Sequence, residues 1–177
     1  IQDGSVNPSQ AVANSTDAGN NTGWVFGGKA TAWTNGAGGN TNWSDDANWD
    51  NNAPAAGDTV TFTAVAGAST QDIAALNVAS VDMTNFTGTL TLNQSLQTAG
   101  ALTVVSGLNM NGQALTVGGN LSVTSGTLTT GAATLAVAGT TEVDGTLSAA
   151  GGSVDLNGNF LVGSTGTLTL GSGNLTA

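Results

Sequence analysis

Between Asn42 and Asp58 the stretch NWSDDANWDNNAPAAGD gathers Asp45, Asp46, Asp50 and Asp58 with Asn48, Asn51 and Asn52. These are hard oxygen donors of the kind that hold Ca²⁺, but the glycine and closing glutamate of an EF-hand loop are missing at their required places. Asp and Asn in such a run also cap turns by bonding their own backbone, and this is the commoner use of the pattern. No metal or cofactor is therefore expected.

A second place for chemistry is the repeat-rich half of the chain, where Asp72, Asp82, Glu142, Asp144 and Asp155 are the acids. Polysaccharide lyases and hydrolases need paired carboxylates, or a carboxylate-held cation beside a basic side chain. Lys29 is the one basic residue of the 177, and there is no His, Cys or Tyr. Solvated surface acids fit this pattern better than catalysis does, and the chain is read as a non-enzyme. Trp24, Trp33, Trp43 and Trp49 suit either of two roles. Trp43 and Trp49 could stack on sugars, or the group could bury its rings as the lid of whatever core follows, which is the favoured reading.

The elements that hold these residues follow from composition and period. A formal charge of −10 repels phosphate backbones and anionic head groups, which sets nucleic acid aside as a partner. No run approaches the ~20 apolar residues of a membrane-spanning helix, so membrane insertion is not expected. Residues 1–23 read as an extended polar arm, 24–62 as a tryptophan-rich cap with the first strands, and 63–177 as short alternating runs broken by glycine.

Those runs repeat. Gly88-Thr89-Leu90, Gly107-Leu108-Asn109, Gly126-Thr127-Leu128, Gly145-Thr146-Leu147 and Gly166-Thr167-Leu168 stand 19, 19, 19 and 21 residues apart. Leu121 and Val123, then Leu128, then Leu135 and Val137 alternate with small polar residues, the two-residue period of a strand buried on one face. A recurring unit of this length predicts an all-β parallel β-helix, a solenoid with three short strands per turn and the right-handed sense that parallel crossovers take. Leu, Val and Ala should fill the inside, while Thr, Ser, Asn and Gln face water.

The segment WTNGAGGNTNWSDDANWDNNAPAAGDTVTF, Trp33 to Phe62, resembles the leading module of bacterial surface proteins with autotransporter-associated β-strand repeats. The likeness runs through Trp33, Trp43, Asn48, Trp49, Pro54, Gly57, Asp58, Val60 and Phe62. The repeat that follows is similar to filamentous-haemagglutinin-type adhesin β-helices. The resemblance implies an extracellular or cell-surface stalk or adhesin without general catalytic activity. Glycans are the partner expected of an adhesin.

One more expectation comes from the ends. The closing GSGNLTA places Leu175 in strand register with no charge, Pro or helix-forming run to blunt the edge. A second copy of the chain is the expected cover, docking head to tail into a homopolymer through Trp24, Trp33 and Leu175, with Ile1, Val6 and Val12 on the arm stapling the junction.

Overall fold

Alternation of apolar and small polar residues, interrupted every few positions by glycine, permits only short strands. In the computed structural model, which describes residues 28–65 and 67–177, they wind into a β-solenoid. A cap strand, β1 (Ala30–Trp33), is followed by six coils of three strands. The first three coils are β2 (Thr59–Phe62), β3 (Ala68–Gln71) and β4 (Leu76–Val78); β5 (Ser80–Asp82), β6 (Thr89–Leu92) and β7 (Leu96–Thr98); and β8 (Leu102–Val104), β9 (Gly107–Asn109) and β10 (Leu115–Val117). The last three are β11 (Leu121–Val123), β12 (Thr127–Thr129) and β13 (Thr134–Val137); β14 (Thr141–Val143), β15 (Thr146–Ala149) and β16 (Ser153–Leu156); and β17 (Phe160–Val162), β18 (Thr167–Leu170) and β19 (Asn174–Thr176).

Every strand pairs in parallel with its equivalent one coil away, giving three faces. The first holds β1, β2, β5, β8, β11, β14 and β17; the second β3, β6, β9, β12, β15 and β18; the third β4, β7, β10, β13, β16 and β19. On the third face Leu76, Leu96, Leu115, Leu135, Val154 and Leu175 form one inner column, with coil lengths of 19 to 21 residues between them. On the second face Leu90, Leu108, Leu128 and Leu147 do the same and are fully buried or nearly so. Single apolar columns from three sides fill the narrow interior.

The register corrects one reading of the repeat. Gly107 pairs with Thr89 and Thr127, and Leu108 pairs with Leu90 and Leu128, so Gly107 occupies the threonine position of the phrase. The even spacing of 19 through Gly107 was a coincidence of an 18-residue step followed by one of 20. Inward-facing leucines fix the register, because a one-residue slip would turn Leu108 to solvent. The corner that is glycine at Gly88 and Gly126 is Ser106 in this coil. A Cβ at Gly126 would lie 1.7 Å from the Ser106 carbonyl oxygen, and one at Gly88 would lie 1.8 Å from that of Gly67. The phrase therefore needs glycine where one coil's corner presses on the backbone of the last.

The expected division of side chains also fails in places. Ser69, Gln71, Thr98, Thr130 and Thr141 are buried. Threonine has nearly the shape of valine, and near a corner its hydroxyl finds a carbonyl: Thr98 Oγ1 donates to Gly100 O at 2.9 Å and Thr130 Oγ1 to Gly131 O at 3.2 Å. Thr141, stacked between Leu121 and Phe160, has no partner for its hydroxyl among the described residues.

Two substitutions test this core in opposite directions. Leu128→Asp places an unpaired charge between coils and should cost about 4 kcal/mol or more. Thr141→Val keeps the shape and removes an unsatisfied buried group, so it should stabilise by about 1 kcal/mol. Chemical denaturation followed by far-UV circular dichroism reads both, and an unchanged Leu128→Asp midpoint would contradict the packing described.

Candidate functional site: the closed cap and the open coil

The two ends of the solenoid carry the residues that the sequence singles out. At the amino-terminal end, Trp33 lies on β1 directly above Phe62 of β2. Trp49 stands edge-on to Trp33 and Trp43, with ring centroids 5.2 and 5.3 Å apart, and Phe62 continues the aromatic stack onto Phe86 at 4.5 Å. Trp43 Nε1 donates to Ser69 Oγ at 2.7 Å, and Trp49 Nε1 to the Trp43 carbonyl at 2.8 Å. Trp33 Nε1 has no partner among the described residues. The three rings are buried, Trp49 being the most accessible at 6%.

Burial corrects two expectations at once. Trp43 and Trp49 offer no ring face on which a sugar could stack, because each face is covered by another aromatic ring or by the first coil. Trp33 is interior as well, so it is not a docking surface. It lies at the opposite end from Leu175, as a head-to-tail contact between copies requires. Ile1, Val6, Val12 and Trp24 lie outside the described residues.

The acids of this loop cap turns and fasten segments. Asp45 accepts from the Ala47 N–H at the start of a 3₁₀ turn, Asp46–Asn48; Asp46 accepts from Ala53 and Asp50 from Ala32. Buried Asn48 is the hub: its amide donates to the carbonyls of Asn40 and Asn42 and accepts from the Ala37 N–H. Asp58, nearly fully buried, receives the Lys29 ammonium at 2.5 Å together with the backbone N–H groups of Lys29 and Ala55. That pair clasps the start of β1 to the Gly57 turn. Its importance was legible only as an oddity, the single cation of an acidic chain.

Cap segments also cover the free edge of each face. Residues 48–50 bond to β1, Thr41 and Trp43 bond to Thr70 of β3, and Gly57 and Asp58 bond around β4. At the carboxy-terminal end β17, β18 and β19 each pair on one side alone among the described residues. Val162 and Leu170 continue inner columns yet are 37% and 42% exposed, and Leu161 is 54% exposed on the outer row beside Glu142. Phe160, Leu168 and Leu175 are half-buried. The sequence did carry a signal here, since Phe160-Leu161-Val162 breaks the alternation.

The remaining acids do not converge. Glu142 projects from the first face and Asp155 lies on the third, and among the described residues no three acids come together as a metal site would require. Searches of family models, curated proteins and solved structures return no match to this chain.

The clasp yields a prediction. Asp58→Ala leaves the Lys29 ammonium and two N–H groups without their acceptor and should cost about 2 kcal/mol or more, the exposure of Lys29 moderating the loss. Asp46→Ala, at an exposed cap, should cost about 1 kcal/mol or less. Thermal melts of the two variants rank them, and equal midpoints would remove the clasp's special standing.

Proposed function

We propose that the chain is a structural rod of an extracellular bacterial filament or matrix, joined to further copies of itself at the open coil and performing no reaction. The observation that carries this reading is the contrast between the ends: cap segments bond along the outer edges of β1, β3 and β4, whereas among the described residues β17, β18 and β19 pair on one side and Val162 and Leu170 of the inner columns stay partly exposed. An uncovered parallel edge pairs with whatever extended chain reaches it.

The occupant is the amino-terminal segment of a second copy. Twenty-seven residues precede Gly28, whereas one coil consumes 18 to 21, so that segment is long enough to lay a further coil on β17, β18 and β19. This contact takes the place of the tryptophan-mediated one expected from the sequence. Repetition of such a heterologous contact gives a filament. The resemblance of residues 33–62 to surface-protein modules, and the scarcity of side chains able to do chemistry, support the same placement outside the cell. A glycan-binding adhesin is the alternative within that resemblance. Burial of Trp43 and Trp49 removes its best binding feature.

Size-exclusion chromatography and negative-stain electron microscopy of the full chain test the proposal. The parent should form concentration-dependent filaments, while a variant lacking residues 1–23, and separately Leu170→Asp, should remain monomeric with an unchanged circular dichroism spectrum. A parent that stays monomeric at high concentration, or a shortened chain that polymerises as well as the parent, overturns it.

A further inference from the structure

The second face differs from the other two in what it turns outward. One outer column runs Thr89, Gly107, Thr127, Thr146 and Thr167. The other, two residues along each strand, runs Thr91, Asn109, Thr129, Ser148 and Thr169. In-register pairing sets the repeat along the stack at about 4.8 Å and the repeat along the strand at about 6.6 Å. Threonine holds its side chain in few rotamers, so the hydroxyls and methyls inherit the regularity of the backbone. The result is a two-dimensional net of small polar groups.

Three further observations bear on what the net meets. None of its eight threonine and serine hydroxyls has a hydrogen-bond partner among the described residues, whereas Thr98, Thr124, Thr130 and Thr165 bond to nearby carbonyls. The six strands of this face carry no charged residue, although the protein has eleven acids and the other two faces present Asp82, Glu142 and Asp155. The net also spans five successive coils, longer than any small ligand needs. A partner that matches it is itself periodic and uncharged, and bonds hydroxyls from one side.

We propose that the second face binds the surface of ice. Hexagonal ice presents its oxygen atoms on prism planes in a rectangular net with a short and a long repeat of the same order as these. Threonine methyls favour ordered water around them, and the hydroxyls anchor that water in hydrogen bonds. Charged groups would instead impose radial hydration shells at odds with the lattice, which accounts for their exclusion from this face. Gly107 and Asn109 form the one irregular rung, dividing the net into a rung at Thr89 and Thr91 and a block of three rungs from Thr127 onward. This inference rests on a different surface from the end contact and is independent of it.

The experiment measures the gap between melting and freezing temperatures of an ice crystal, and the inhibition of ice recrystallisation, for the full chain and four variants. The parent should open a concentration-dependent gap. Thr127→Lys and Thr167→Lys, both at exposed positions of the net, should lose it. Thr116→Lys, exposed on the third face, should keep it, and Asn109→Thr, which fills one of the two positions of the irregular rung, should widen it. Circular dichroism melts establish that each variant is folded. A parent no better than an unrelated protein at equal concentration, or lysines that act equally on both faces, overturns the proposal.

Discussion

Everything in this molecule depends on backbone pairing between a strand and its equivalent one coil away. No face folds alone, since the backbone groups of three or four residues are satisfied only by the strands above and below. The stacking sets the side-chain columns, demands glycine where corners touch, and carries every irregularity into the neighbouring coil. It also creates an end problem that a globular core does not have. The chain solves that problem at one end with loop segments, an aromatic plug and an ion-paired clasp.

The period and the alternation were enough to read the β-solenoid, its three strands per turn and most of the inner columns, because both are imposed by the stacking itself. Register within a coil was harder. Matching glycines placed Gly107 one position from where Leu108 requires it, since burying a leucine outweighs conserving a corner glycine. Buried Thr141 and Gln71 were invisible for a similar reason: on a narrow solenoid the backbone decides which way a side chain points, and a polar residue in an inner column goes in regardless.

The cap was legible in kind and not in detail. Four tryptophans ahead of the first coil suggested a lid, but a lid and a sugar platform call for the same residues, and only burial separates them. The roles of Asn48 and Asp58 depend on long-range partners. Asn48 joins segments up to fourteen residues away, and Asp58 meets a lysine 29 positions earlier, so no local pattern announces either.

The aromatic plug divides the molecule optically. Trp33, Trp43 and Trp49 are confined to the cap, while the coils beyond Phe62 contain no tryptophan at all. The fluorescence of these three indoles therefore reports on the amino-terminal end, read in a Trp24→Phe background, whereas far-UV circular dichroism averages over every coil. In a stack with nearest-neighbour cohesion, loss of structure starting from the coil of β17, β18 and β19 would dim the dichroism signal well before the indoles met water. The lag between the two signals measures how far fraying travels before the plug gives way, and so gives the cooperative length of the solenoid in units of coils.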